Sequence, residues 1–225
     1  MWDRVAGMSF TLPRQIVDVT DAARAQPAPA VPTLHEPFTS RLADPDTDAA
    51  MIADWMSRPH LADTWDRDFG AQRWRDHLAA QRDGTYSRPM IVSDNGEPIL
   101  YAEVYRPAQD VIAHLYDAEP GDIGIHLAMA DPGRGHRGTL HALVGPFILG
   151  LLAREPDCRR ILVDPEASNV AACSAAERFG GVSLGDHDLL GHRIRLYCIA
   201  IERGDTDTGE TAYAGAQVTH RGDSA

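Results

Sequence analysis

The sequence predicts an α/β fold carrying one twisted mixed sheet of about seven strands flanked by about four helices. Three observations lead there. Short apolar runs and helix-type patterns follow one another as β-α-α-β-β-β-α-β-α-β-β. Asn95-Gly96 sits between two apolar runs, the signal for a tight antiparallel hairpin. An apolar helix pattern then separates two further runs, as a parallel crossover requires.

The elements follow in order. Phe38 to Leu42 reads as a strand. From Asp46 to Met56, apolar Ala50, Ile52, Ala53 and Met56 recur at helical spacing, and Pro59 is expected to stop the helix. Ala71 to Gln81, with Trp74 and Leu78 on one face, reads as a second helix closed by Gly84. Met90 to Ser93 and Ile99 to Tyr105 form the hairpin, and Ile123 to Met129 the next strand. Leu140 to Arg154 reads as an apolar helix, and Arg160 to Val163 as a short buried strand. Val170 to Phe179 reads as a helix closed by Gly180-Gly181. Val182 to Leu184 and Ile194 to Ile201 complete the sheet.

Outside this core, residues 1–36 read as an N-terminal arm and a linker, because Ala23 to Val31 with Pro27, Pro29 and Pro32 favours extended backbone. Residues 9–19 read as one more strand or a short arm. The core spans residues 37–203, and residues 204–225, poor in large apolar side chains, are expected to be disordered. The 44% hydrophobic content of 225 residues suffices for one packed domain. No apolar run reaches the length of a membrane span. Three separated cysteines match neither a zinc site nor a disulfide framework, which points to the reducing cytoplasm. The net charge of −12 argues against nucleic acid and suits either plain solubility or a cationic small substrate. All 21 basic Lys/Arg-type residues are arginine, which excludes a lysine Schiff base and a P-loop lysine.

The chemistry concentrates between Asp122 and Thr139. An apolar strand ends in Gly133-Arg134-Gly135-His136-Arg137-Gly138, and an apolar helix follows at once. A glycine-rich loop at a helix N-terminus is an anion site, since free N–H groups and the helix dipole both face the bound group. The strand also carries His126, whose side chain titrates near neutral pH. A phosphate cradle beside a titratable group suggests an enzyme with a phosphate-bearing donor.

In the order and local sequence of these elements, the chain from Pro37 to Arg203 resembles the GNAT acyltransferase superfamily. Trp55-Met-Ser-Arg-Pro59-His60-Leu61, with Trp65 beyond it, resembles the substrate-side helix and turn of one branch. Gly96 to Arg106 resembles its hairpin, Asp122 to His126 its central strand, and Asp164-Pro165-Glu-Ala-Ser-Asn169 its strand-to-helix turn. Two subfamilies share that skeleton: the N-acyltransferases of hydroxamate siderophore biosynthesis, including the mycobactin lysine N-acyltransferases, and the aminoglycoside 6′-N-acetyltransferases. The latter typically carry Asp at the place of His126 and Tyr at the place of Ala176, so both positions resemble the siderophore branch. The loop departs from the family pattern Q/R-x-x-G-x-G/A, with Gly135 and Leu140 at two of its places.

The resemblance implies acyl-CoA as co-substrate, with an acyl-carrier thioester as the other possible donor, and a small amine or hydroxylamine as acceptor. Neither nucleic acid nor membrane is an expected partner, and no metal is expected. It implies a catalytic pair of His126 and Asp164. Read bare, a strand histidine is also a common core group, and Asp164 before Pro165 suits an Asx-turn. Donor contacts are expected from Leu127, Ala128, Met129, Arg134, Gly135, His136, Arg137, Gly138, Thr139 and Asn169; the bare alternative for Asn169 is a helix N-cap. Acceptor contacts are expected from Trp55, His60, Trp65 and Glu103, the tryptophans having core packing as their alternative. An inward Glu103 either binds a cationic amine or pairs with Arg106 or Arg137. The competing functional readings are an aminoglycoside-type acetyltransferase and a non-catalytic acyl-CoA-binding protein.

Overall fold

The computed structural model describes residues 10–65, 69–136 and 138–202. Among them are seven strands in one sheet, ordered β1-β2-β3-β4-β5-β7-β6. The strands are β1 (Phe38–Leu42), β2 (Ser87–Asp94), β3 (Glu97–Tyr105), β4 (Ile123–Met129), β5 (Arg160–Val163), β6 (Val182–Leu189) and β7 (His192–Ala200). All neighbours are antiparallel except β4 and β5. The helices are α1 (Asp21–Arg24), α2 (Ala49–Met56), α3 (Pro59–Trp65), α4 (Ala71–Asp83), α5 (Pro132–His136), α6 (Thr139–Leu152) and α7 (Val170–Arg178). No described helix is long and apolar enough to cross a membrane.

The four longer helices and all seven strands lie where the sequence pattern puts them; α1, α3 and α5 are additions. Pro59 begins a new helix as well as ending the old one. A proline fits the first helical turn, whose N–H has no intrahelical partner. In the same way Pro132 opens α5, and the Asp131 carboxylate accepts the Gly133 N–H at 2.8 Å. The expected open loop before α6 therefore holds a helical turn.

Asn95 and Gly96 turn the β2–β3 hairpin with φ of 48° and 80°, both in the left-handed region demanded by a two-residue turn. Leu190 and Gly191 do the same for β6 and β7, with φ of 50° and 89°. That second hairpin makes both strands longer than expected, because Leu-Gly lacks the Asn-Gly signal.

Strand alternation sorts the core onto two faces. Leu100, Ala102, Val104, Ile123 and Ile125 pack against Leu143, Phe147 and Leu151 of α6. Tyr101 and Ala128 point the other way, onto Trp55 of α2 and Trp74 of α4. Beside them, Tyr105, Leu162, Ile194 and Leu196 pack with Leu12 of the N-terminal segment.

Residues 10–36 do not behave as a free linker. Val31 and Leu34 pack against the α6 side of the core. Ala30 N–H donates to Glu155 at 2.7 Å, and buried Arg106 donates to the Pro27 carbonyl at 3.0 Å. An extended Pro/Ala segment exposes carbonyls along its length, and here a side chain satisfies one of them. Residues 9–19 form no strand among the described residues, only an isolated bridge between Gln15 and Asp110. The tail expected to be disordered, residues 204–225, lies outside the described residues.

The docking of this segment can be tested at Gly150. A Cβ there would overlap the Thr33 backbone. Gly150→Ala is expected to cost about 2 kcal/mol in overpacking against the Thr33 backbone, of which about 1 kcal/mol is offset by the helix propensity of alanine in α6, a net loss of about 1 kcal/mol. Calorimetry should then show melting lowered by about 2–4 °C; an unchanged or raised melting temperature would mean that the segment does not rest there.

Candidate active site

The β4–β5 pair holds together at only two positions, Ile123 with Ile161 and Gly124 with Leu162. Beyond them the strands part. Ala130 N–H donates to Ile99 of the hairpin, so by alternation the N–H groups of Leu127 and Met129, beyond the last paired position, face the opening. A cavity of about 600 Å³ fills this opening and extends between α6 and α7. Its wall is mainly apolar, with Ile125, Leu127, Val144, Phe147, Val163 and Phe179, and one corner is polar.

That corner is built by strand register. Glu103 of β3 stands directly opposite His126 of β4, and Asp164 ends β5 on the other flank. His126 Nδ1–H donates to Glu103 Oε2 at 3.2 Å, and Nε2–H donates to Asp164 Oδ1 at 3.0 Å. A carboxylate on each ring nitrogen favours a proton on each, and so favours the imidazolium. Burial alone would push its pKa down; Asp164 and the hydrogen bonds to Asp164 and Glu103 outweigh burial and hold it above the usual histidine value.

Both carboxylates are themselves fixed. Gln81 Nε2 and the Tyr101 hydroxyl donate to Glu103 Oε1, each at 2.9 Å, and His77 lies 3.5 Å from the same oxygen. The Tyr105 hydroxyl donates to Asp164 Oδ1 at 3.0 Å, and Arg14 lies 2.8 Å from Oδ2. Burial would raise the Asp164 pKa, but Arg14 and His126 drive it far below the usual carboxylate range. Burial, then Asp164, pushes Tyr105 well up, so it stays a neutral donor. The Tyr105 ring lies 4.6 Å from the imidazole, and Trp65 meets that imidazole edge-on at 5.8 Å.

The structure sorts the expected site residues. His126, Asp164, Leu127, Met129, His60, Trp65 and Asn169 all line the cavity. His60 Nε2–H donates to the Met129 carbonyl at 3.0 Å, so the ring is tied to the end of β4. Asn169 caps α7, accepting the Ala172 N–H at 3.1 Å while facing the cavity. Gly138, with φ of 89°, is the N-cap of α6, and Thr139 begins that helix. Gly135 and His136 fall in α5; Arg137 lies outside the described residues.

Four expectations are corrected. Trp55 is buried core beneath α2 and does not face the cavity, and Ala128, expected to offer backbone groups to the donor, has them turned to Tyr101 of β3. Glu103 is buried against His126 and does not line the cavity; Arg106 pairs with Glu155 instead. Arg134 is held by Glu97 and Asp94 of the β2–β3 hairpin, which offsets the charge expected for phosphate. The pattern in sequence also missed Arg14, Tyr105 and Gln81, which complete the polar corner.

Comparison with known proteins agrees with this architecture. Residues 44–189 match an acetyltransferase (GNAT) domain. A lysine N-acyltransferase MbtK of Mycobacterium sp. (strain MCS) is 47% identical over 188 residues, covering 84% of this chain and 77% of that protein. The corresponding Mycobacterium tuberculosis protein, also a lysine N-acyltransferase MbtK, is 44% identical, with coverage of 84% and 89%. The crystal structure of aminoglycoside acetyltransferase AAC(6′)-Ib with coenzyme A superposes with a TM-score of 0.61 at 24% identity, covering 72% of this chain and 94% of that one, and shares the fold. The parted central strands, the helix that follows them and the matched domain lead to one conclusion: the chain belongs to the GNAT acyltransferase family.

Proposed function

We propose that the protein is an acyl-CoA-dependent N-acyltransferase that acylates the side-chain amine or hydroxylamine of lysine or a related diamine, in hydroxamate siderophore biosynthesis. The observation that carries this reading is His126, clamped between Glu103 and Asp164 at the wall of a cavity where β4 and β5 part. The similarity to proteins named lysine N-acyltransferase supports the acceptor class.

An extended thioester arm suits the strand opening, because the Leu127 edge offers backbone groups at the place where β5 has turned away. Acyl-CoA and an acyl-carrier thioester present the same arm, and the apolar wall suits its acyl end. The α6 N-terminus, with Gly138 at its cap, supplies N–H groups for the donor phosphates. The three described cysteines are free thiols, which fits a cytoplasmic enzyme.

In the reaction, the acceptor nitrogen attacks the thioester carbonyl, the carbon–nitrogen bond forms, and the carbon–sulfur bond breaks. The nitrogen loses one proton and the sulfur leaves as thiolate. That proton passes to Nε2 of neutral His126 by way of Asp164 Oδ1, which lies 3.0 Å from that nitrogen, while Nδ1–H stays on Glu103. A protonated alkylamine must first lose its extra proton, whereas a hydroxylamine arrives neutral. Ala176 supplies no acid for the thiolate, but a thiol of pKa about 8.5 leaves without one.

A base works only when deprotonated, so activity rises as pH rises through the His126 pKa. The ascending limb of kcat/KM is expected above the ordinary histidine value of 6.5. The acceptor class is tested by free-thiol release with lysine, N6-hydroxylysine and kanamycin-type amines. Turnover with the lysine-type acceptors alone supports the proposal; turnover only with kanamycin supports an aminoglycoside enzyme. Silence with every acceptor despite tight acyl-CoA binding supports a binding protein.

A further inference from the structure

Arg14 sits on a segment that precedes the matched residues 44–189, yet it reaches the centre of the polar corner. One edge of its guanidinium, Nε and Nη2, donates to Asp110 at 3.0 and 2.9 Å. Nη1 lies 2.8 Å from Asp164 Oδ2. Asp110 is itself fully buried and accepts the Tyr86 hydroxyl and the Ile112 N–H. The arm is clipped in place on both sides of Arg14. Val111 N–H donates to the Arg14 carbonyl at 3.0 Å, and Ile16 N–H donates to Gln109 at 2.9 Å. Leu12 is buried in the Tyr105 cluster, and Phe10 meets His77 edge-on.

We propose that Arg14 is a positioning residue for acyl transfer: the N-terminal arm delivers one guanidinium that pins Asp164 against His126 and balances the buried carboxylates around the imidazole. The inference rests on the reading of His126 as the proton acceptor. Its physical basis is a charge balance. Glu103 from β3 and Asp164 from β5 face the imidazole, Tyr105 from β3 lies against it, and Asp110 stands behind Arg14. Three carboxylates thus surround one fixed cation and one titrating ring. Buried carboxylates stripped of a cation are costly, and only a planar fork can serve two of them at once. Arg14 also opposes the protonated form of His126, so its removal favours imidazolium and leaves less free base at neutral pH.

The test compares Arg14→Gln, Arg14→Lys and wild type by pH–rate profile and by NMR titration of the His126 ring. Arg14→Gln is expected to lower kcat about tenfold or more while leaving the thioester KM unchanged. Its ascending limb and its His126 titration both move to higher pH. Arg14→Lys, which keeps the charge but loses the fork, brings both back toward wild type and restores part of kcat. If Arg14→Gln fails to fold with Asp110 stranded, Arg14→Gln/Asp110→Asn removes that charge, and the same upward displacement is required. An unmoved limb and titration in Arg14→Gln or in the double variant overturns the proposal, as does an Arg14→Lys protein no better than Arg14→Gln. Wild-type turnover in His126→Ala would defeat the proton-acceptor reading instead, with the NMR shift still reporting on Arg14.

Discussion

His126→Ala is expected to lower turnover about a hundredfold or more, the loss typical of a missing general base. Donor affinity should stay nearly unchanged, because the imidazole occupies the polar corner while the donor is held by the strand edge, the apolar wall and the α6 N-terminus. The fold should tolerate the change. Asp164 keeps Arg14 and Tyr105, and Glu103 keeps Gln81 and Tyr101. Stopped-flow turnover and calorimetric binding of acyl-CoA separate the two effects. An intact rate would remove His126 from the chemistry, and a large loss of donor affinity would mean that the ring serves the donor.

Gly124→Ala is expected to be the most damaging small change in the sheet. A Cβ at this position would overlap Cζ and both Cε atoms of the Tyr105 ring. Tyr105 is fully buried and cannot swing into solvent. Overpacking a rigid ring places the cost near the top of the ordinary range, about 3 kcal/mol, and should lower melting by about 6–12 °C. The same shift moves the Tyr105 hydroxyl off Asp164, so activity should fall beyond what lost stability explains. Gly124→Ala combined with Tyr105→Leu relieves the overlap; it should recover stability and leave the rate low. Recovery of both would show that Tyr105 serves packing alone.

Much of this fold was legible in the chain. Phe38–Leu42, an edge strand with alternating burial, and Ile123–Met129 and Arg160–Val163, mostly apolar strands of the sheet interior, have the bounds that their patterns give. His126 and Asp164 were legible as a pair because the family resemblance implies them together, and a parallel crossover that sets two strand ends side by side fits that pairing. What was illegible depends on contacts between distant segments. Alternation along β3 turns Glu103 away from Ala102 and Val104, but its partner follows from the β3–β4 register, which no local pattern states. Pro59 signals both the end of one helix and the start of the next, and local reading kept only the first meaning. Arg14 lies on an arm with neither helical nor strand periodicity, so its salt bridges appear only once Asp110 and Asp164 have been folded together. Trp55 and Trp65 look alike in sequence, yet one is sealed under α2 and the other faces the imidazole.

Catalysis turns on the imidazole held by Glu103 and Asp164 as the group that takes up the acceptor's proton. The most direct test of that role is to follow the His126 ring nitrogens by 15N NMR through a pH series and to record kcat/KM in the same buffers. One shared midpoint is expected, above the ordinary histidine value, with Nε2 losing its proton and Nδ1 keeping its own. A ring that titrates well away from the kinetic limb, or that gives up the Nδ1 proton first, would contradict it.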